Sequence, residues 1–199
     1  INSNIRPGKS IDFGFDVEKY FNPLIEQFTK FYNADYIEPI EFYGNCYNGN
    51  ADLYTTMSYL PHVDTFPGAD EDINPLNDYA FNLNVTKSDK VKTAFYSFNG
   101  KKSVCDWTPD DYDDHDRVRD RHKKIKAKNW RLLSSENFQN YQLEYVANIE
   151  YNSLILYPSH YWHSVYIKED WFTDTDRVTF TGFFETKTTS SKTKKLGFG

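Results

Sequence analysis

Three residues in this chain stand at a spacing that suits a mononuclear metal centre. His62 and Asp64 are two apart in Pro61-His62-Val63-Asp64, and a second histidine, His163, follows much later in the sequence. Residues two apart on a β-strand point to the same face, so His62 and Asp64 can both reach one ion. Two imidazoles and one carboxylate form the facial triad that holds non-haem Fe(II) and leaves coordination positions open. The predicted metal ligands and catalytic residues are therefore His62, Asp64 and His163.

A later segment carries a cation that suits a carboxylate. Arg177 alternates with two threonines in Arg177-Val178-Thr179-Phe180-Thr181, so these three polar side chains share one face of a predicted strand. A guanidinium with a hydroxyl two residues on can hold a distal carboxylate by several charge-assisted hydrogen bonds. The pattern predicts a binding site for a dicarboxylate.

Together these motifs resemble the 2-oxoglutarate/Fe(II)-dependent oxygenase superfamily, whose pattern is H-x-D/E, a long gap, a second His and then R-x-S/T. The matching residues occur in the same order and in strand-like contexts. The resemblance implies that Fe(II) binds His62, Asp64 and His163. It also implies that Arg177 and Thr179 hold the far carboxylate of 2-oxoglutarate, the cosubstrate. The activity it implies is hydroxylation of a C–H bond.

Three further residues are predicted to contact the cosubstrate. Tyr54 has the same strand parity as His62 if the strand between them is unbroken. Asn82 and Thr93 lie where the superfamily often points polar groups inward, a role that rests on the resemblance.

The third metal ligand has two candidates, because Ser159-His160-Tyr161-Trp162-His163 contains two histidines. They are three apart, so a strand places them on opposite faces. His163 continues into an alternating apolar strand, whereas His160 directly follows Pro158-Ser159, where a turn is expected. This geometry favours His163, and His160 could lie near the substrate or behind the ligands.

The elements that must position these residues are mostly strands. The chain has 16 Tyr and 16 Phe, and such aromatic richness favours sheet. Alternating segments are predicted as strands near residue 11 and at 53–60, 79–85, 91–98, 143–149, 154–157, 161–167 and 177–185. Pro39, Gly44 and residues 48–50 are predicted to break the preceding chain into short strands and turns. We therefore expect a mainly β fold, a double-stranded β-helix barrel of the jelly-roll or cupin-like type.

Two helical regions complete the predicted fold. An N-terminal helix, capped by Asn22 with Pro23 in its first turn, should cover one face of a sheet with a stripe that includes Phe31. Residues 99–140 form a charged, partly helical insertion, in which acids precede bases and a helix begins near Asp114 or Asp116. The insertion is interpreted as a solvated excursion, with a lid over the substrate as the alternative.

His115 and His122 lie within this charged insertion, close to its cluster of acids. A second metal site is therefore conceivable there. Solvated helix positions are the preferred interpretation of both histidines.

Length, charge and composition limit what can be expected of domain organisation, partners and location. The 199 residues suit one domain over 1–186, followed by a flexible tail at 187–199. The net charge of −6 argues against general, charge-driven nucleic-acid binding. A chain with no apolar signal region or membrane span and only two cysteines is expected to be cytoplasmic and reduced. The substrate, a small molecule or a peptide, is not identified by these patterns.

Three alternatives remain open. The first is a non-catalytic jelly-roll binding or structural module. The second is a cupin-like metalloenzyme that does not use 2-oxoglutarate, in which Arg177 would be dispensable. The third keeps the oxygenase chemistry but acts on nucleic acid, supported only by the basic run 117–128.

Overall fold

The chain folds into a mainly β structure. The computed structural model describes residues 9–11, 17–47, 61–65, 78–122, 140–168 and 171–187. Across these residues, two antiparallel sheets occur together with two α-helices, an arrangement compatible with a β-sandwich. None of the helices described is long and apolar enough to cross a membrane.

The elements follow one another along the chain as β1 Lys9–Ile11, α1 Val17–Tyr32, β2 Tyr36–Tyr47, β3 Asp78–Asn84, β4 Lys92–Phe98, α2 Pro109–His122, β5 Tyr141–Asn148, β6 Leu154–Pro158, β7 His163–Val165 and β8 Arg177–Lys187. The larger sheet has the strand order β1-β2-β8-β3-β6, and the smaller sheet has the order β5-β4-β7. The segment between β4 and β5 therefore joins two strands that pair directly.

Most of the predicted strands are confirmed. Strands β3 to β6 and β8 lie where alternation predicts them, β1 ends at Ile11, and β7 is shorter than the predicted 161–167. The predicted strand at 53–60 and the predicted tail beyond Lys187 lie outside the described residues.

Strand β2 corrects the prediction of short strands and turns before residue 47. It runs unbroken from Tyr36 to Tyr47, with a register shift between Pro39 and Glu41. A proline lacks the N–H that a regular ladder needs, so it is tolerated where the register shifts. Gly44 pairs with β1 on one side and β8 on the other. Pairing on both sides outweighs the local turn signals.

Helix α1 begins earlier than the sequence predicts. It starts at Val17 rather than after an Asn22 cap, and Pro23 lies in its interior. Packing against the sheet supplies the physical reason, and the ring of Phe21 stacks on that of Phe42 with 4.9 Å between centroids. An interior proline costs about 3 kcal/mol, and several apolar side chains of α1 pack in the same cluster and together offset it, since each contributes up to about 1.5–3 kcal/mol when buried.

The apolar face of α1 covers the larger sheet, as predicted. Phe28 is buried, and its ring centroid lies 5.8 Å from that of Phe81 on β3. Gly182 on β8 leaves room for the rings of Phe42 and Phe81, since a Cβ at this position would lie 2.5 Å from Cδ1 of Phe42 and 2.6 Å from Cζ of Phe81. Phe31 departs from the predicted stripe and is 77% exposed.

Helix α2 also begins earlier than predicted, at Pro109 rather than near Asp114 or Asp116. Its start is fixed by Asp111, whose carboxylate accepts hydrogen bonds from the backbone N–H and the hydroxyl of Thr108, both at 2.7 Å. The bond to the backbone N–H is one half of a capping box. Pro109 occupies the first helical position, which suits its fixed φ. The sequence signal for this helix start is Thr108-x-x-Asp111, which was not recognised because Asp111 lies among several other acids.

The interpretation of residues 99–140 as a solvated excursion is wrong for the inner face of α2. His115 is buried, and its ring lies 5.2–5.7 Å from those of Phe98, Trp107 and Trp162. Burial lowers the pKa of this imidazole. His115 is a core residue, and nothing is described of the His122 side chain. Residues 123–139 lie outside the described part of the chain.

Candidate metal centre

His62 and His163 are brought together by their backbones. The N–H of each residue donates to the carbonyl oxygen of the other, at 2.9 Å in both directions. The two imidazole rings lie side by side, with 4.5 Å between their centroids. A two-residue antiparallel bridge therefore joins positions that are distant in the sequence.

Asp64 completes a group that could hold a metal ion. Its backbone N–H donates to the carbonyl oxygen of Ser159 at 2.8 Å, which fixes the segment after His62. Its Oδ1 lies 3.8 Å from His62 Nε2, and its Oδ2 lies 3.3 Å from His163 Nε2. One potential ligand atom from each of the three residues lies within 4.8 Å of the others. The predicted ligand set is thus assembled in space.

The His163 imidazole is held in the tautomer that a metal ligand needs. Its Nδ1 lies 2.9 Å from the carbonyl oxygen of Tyr161, an acceptor, so Nδ1 carries the hydrogen and donates it. The lone pair is then on Nε2, the atom that faces Asp64. A backbone carbonyl behind a histidine ligand commonly fixes the ring in this way.

The three ligand side chains differ in exposure. Those of His163 and Asp64 are 6% and 11% exposed, whereas that of His62 is 48% exposed. The group is therefore closed on the His163 side and open on the His62 side.

His160 does not join the group. It is buried, its ring packs against that of Tyr161, and its carbonyl oxygen accepts a hydrogen bond from Val104. Among the described residues, those that line the cavity around the three candidate ligands do not include His160. The geometry accords with the choice of His163 over His160.

The three candidate ligands line a cavity of about 220 Å³ that also contains Arg177 and Thr179. Both of these β8 residues are buried, and Arg177 Nη1 donates to Thr179 Oγ1 at 3.3 Å. Asp64 and Arg177 are the only carboxylate and the only guanidinium among the described lining residues. The cavity thus combines a metal-ligand group with one buried cation.

The structure places two of the three further predicted contacts in the same cavity. Asn82 lines it, and so does Thr93, which is 2% exposed. Among the described residues, Thr93 Oγ1 has no hydrogen-bond partner, so this buried hydroxyl is available to a ligand. Tyr54 lies outside the described residues. The described part of the 99–140 segment contributes no residue to the cavity.

Sequence reasoning assigned no role to four polar residues of the cavity, namely Asn45, Tyr157, Ser164 and Thr181. Asn45 lies on β2, which was predicted as turns, so its strand parity could not be read. Tyr157 was assigned to a buried strand without a role. The signal for Thr181 was present, since it alternates with Arg177 and Thr179.

No protein-family model matches this sequence, and no curated protein matches it. The interpretation of the site therefore depends on its own geometry and chemistry.

Proposed function

We propose that the protein is an Fe(II)- and 2-oxoglutarate-dependent oxygenase that hydroxylates a C–H bond of its substrate. The observation that supports this proposal most directly concerns one cavity. It is lined both by the candidate metal ligands, His62, Asp64 and His163, and by the Arg177–Thr179 pair. The two sheets suit a double-stranded β-helix of the jelly-roll type, which is the fold we propose.

The donor set fits Fe(II). Two imidazoles and one carboxylate occupy one side of a metal ion and leave positions open for a cosubstrate and dioxygen. His163 is already oriented by Tyr161, so its Nε2 would meet the ion without rearrangement. His62, Asp64 and His163 are the residues that would hold the metal.

The charges of the cavity favour a doubly charged acid as the second ligand. A divalent cation at the Asp64 carboxylate would give the cavity two cationic groups, the metal and the buried guanidinium of Arg177. Carboxylates pair well with both kinds of cation, and charge-assisted bonds are strong at a buried site. A dicarboxylate such as 2-oxoglutarate could therefore meet both, with one carboxylate toward the metal ligands and the other toward Arg177 and Thr179.

When bound, Fe(II) and 2-oxoglutarate would supply the oxidising chemistry, in which the cosubstrate is decarboxylated and dioxygen is activated. The residues of the chain supply position and surroundings. Arg177 and Thr179 orient the far carboxylate, and Thr93 offers a buried hydroxyl to the ligand. The buried side near His163 excludes water, and the exposed side at His62 leaves room for substrate to approach.

The test is an anaerobic titration of the metal-free protein with Fe(II) and then 2-oxoglutarate. The visible metal-to-ligand charge-transfer band reports chelation of the cosubstrate. We expect the band in the wild type and in His160→Ala, its loss in His163→Ala, and a higher 2-oxoglutarate requirement in Arg177→Ala. His160 is the matched control, since it is a buried histidine of the same segment that lies outside the group.

The other outcomes separate the alternatives. Metal binding without the band would favour a cupin-like metalloenzyme that does not use 2-oxoglutarate. Absence of both would overturn the oxygenase proposal and favour a non-catalytic jelly-roll module. If the band appears, the next step is to seek the substrate among small molecules and peptides.

A further inference from the structure

Four polar side chains form a continuous hydrogen-bond chain across the cavity wall. They are Asn45 on β2, Thr181 on β8, Asn82 on β3 and Tyr157 on β6, and all four line the cavity. The four strands are neighbours in that order in the larger sheet, so each contributes one residue. We call this set the polar relay.

The polar relay has a direction. Asn45 Nδ2 donates to Thr181 Oγ1 at 2.9 Å, and the Thr181 hydroxyl donates its one hydrogen to Asn82 Oδ1 at 2.6 Å. Asn82 Nδ2 then donates to the Tyr157 hydroxyl oxygen at 3.0 Å. Since Tyr157 accepts from Asn82, its own hydrogen is directed away from Asn82.

The two ends of the polar relay lie beside the two parts of the proposed site. At one end, Asn45 is the register partner of Thr179, whose hydroxyl accepts from Arg177. At the other end, the Tyr157 ring lies 4.7 Å, centroid to centroid, from the ring of His163. The polar relay therefore runs, through neutral side chains alone, from the strand position opposite Thr179 to the residue whose ring packs against that of His163.

We propose that Asn45, Thr181 and Asn82 are positioning residues that hold the Tyr157 hydroxyl as a hydrogen-bond donor to the molecule bound beside His163. This rests on the proposed function in one respect, because that molecule is taken to be 2-oxoglutarate, whose oxygens accept hydrogen bonds. With every bond reversed, the same four residues would present Tyr157 to the ligand as an acceptor. The direction thus decides which ligand chemistry the cavity prefers.

One substitution at the far end should reverse the polar relay. In Asn45→Asp the new carboxylate can only accept, so Thr181 must donate to it rather than to Asn82. The Asn82 amide then turns, donates to Thr181 through Nδ2 and accepts from Tyr157 through Oδ1. The Tyr157 hydrogen is thereby withdrawn from the ligand, although position 45 lies three strands away.

The measurement is the affinity for 2-oxoglutarate of Fe(II)-loaded protein, read from the charge-transfer band. Loss of a hydrogen bond to a charged group corresponds to about a tenfold or greater weakening, which we expect for Asn45→Asp and for Tyr157→Phe. The double variant should be no weaker than Tyr157→Phe alone, because both changes remove the same contact. Thr181→Val, which interrupts the relay, should likewise have an effect only when Tyr157 is present.

Two results would overturn the proposal. Additive losses in the double variant would show that the charge at position 45 acts independently of Tyr157. Unchanged affinity in Asn45→Asp, with a weakened Tyr157→Phe, would show that the direction is immaterial.

A readout on the metal-free protein separates this proposal from the proposed function. The side-chain amide resonances of Asn82 should shift in Asn45→Asp, since that amide turns, while the backbone amide spectrum shows that the fold is kept. Unshifted resonances would overturn the relay whatever the metal titration shows. A wild type without the charge-transfer band, but with shifted Asn82 resonances, would instead overturn the oxygenase while leaving the relay intact.

Discussion

His62 and His163 donate their backbone N–H groups to each other's carbonyl oxygens, each at 2.9 Å. This bridge sets the two imidazoles side by side through main-chain bonds, and the Asp64–Ser159 bond brings the carboxylate to them. A ligand group built on backbone pairing is pre-organised, so removal of one ligand should weaken metal binding without disturbing the others.

Asp64→Asn should lower the affinity for a divalent cation by about 100-fold or more, because the amide keeps the shape of the side chain but removes its charge. Isothermal titration with Fe(II) under anaerobic conditions, or with Co(II), measures the change. Asp78→Asn is the matched control, since Asp78 is also a buried carboxylate but lies outside the ligand group. Equal losses in the two variants would contradict the assignment of Asp64.

Arg177→Lys should weaken 2-oxoglutarate binding while leaving the affinity for the metal unchanged. A lysine keeps the positive charge but loses the planar fork that pairs with a carboxylate through two parallel hydrogen bonds. The expected loss of affinity for 2-oxoglutarate is about tenfold, and the charge-transfer band measures it. Thr179→Val should cause a smaller loss of the same kind, because it removes one hydroxyl partner. A parallel loss of metal affinity would show that Arg177 supports the fold instead.

Asp111→Ala should destabilise the protein by about 1–3 kcal/mol, because it removes the hydrogen bonds from Thr108 at the start of α2 and the ion pair with Lys101. Urea unfolding at neutral pH measures the change. Asp110→Ala is the control: it removes an exposed acid from the same helical turn but leaves the bonds of Asp111. The two costs should therefore differ clearly.

The same residue predicts a pH effect. Lys101, followed by the hydrogen bonds from Thr108, holds the pKa of Asp111 well below its usual value. A carboxyl whose pKa is lowered on folding stabilises the protein fully above its unfolded pKa of about 4, and the stabilisation is lost as the pH falls further. Wild type and Asp111→Asn should thus converge in stability as the pH is lowered from 5 to 2.

His115→Phe should reduce the loss of stability between pH 7 and pH 5. Burial lowers the pKa of His115 in the folded protein, so below its unfolded pKa of about 6.5 the unfolded chain binds the extra proton. Stability from this residue is complete above that pH and declines as the pH falls. Phenylalanine fits among Phe98, Trp107 and Trp162 and cannot be protonated. Identical pH profiles for the two proteins would contradict this account.

Gly182→Ala should destabilise the protein by about 1–3 kcal/mol, because the added Cβ would meet the rings of Phe42 and Phe81. Chemical unfolding measures the loss. The fraction that remains folded should bind metal as the wild type does, since Gly182 does not line the cavity.

The candidate metal ligands could be picked out from the sequence because the H-x-D pair is local and its chemistry is specific. His62 and Asp64 are two apart on an extended segment, and the Arg177-x-Thr179 pair follows strand parity. The relation between those motifs was not visible, since it depends on the bridge between His62 and His163. No periodicity in the sequence predicts such long-range pairing, and only the resemblance joined the parts.

The misplaced boundaries have a common cause. Pro23 and Gly44 are strong local breakers, yet each lies inside a regular element, because Phe21 packs against the sheet and β2 is paired on both sides. His115 was misjudged for a similar reason. Its charged neighbours indicate solvent, whereas one face of the helix is buried against an aromatic cluster. Tertiary packing decided all three positions.

A metal bound by the candidate ligands would also affect stability, because of the way residues 61–65 are attached to the rest of the protein. The described backbone bonds that hold this segment run from His62 to His163 and from Asp64 and Thr65 to Ser159. A cation shared by His62, Asp64 and His163 would tie the segment to β7 at one more point, so global unfolding would have to release the ion. At a hundred times its dissociation constant, such an ion would add about 2.7 kcal/mol of stability. The lifetime of the protein would then follow the supply of metal, even in the absence of substrate.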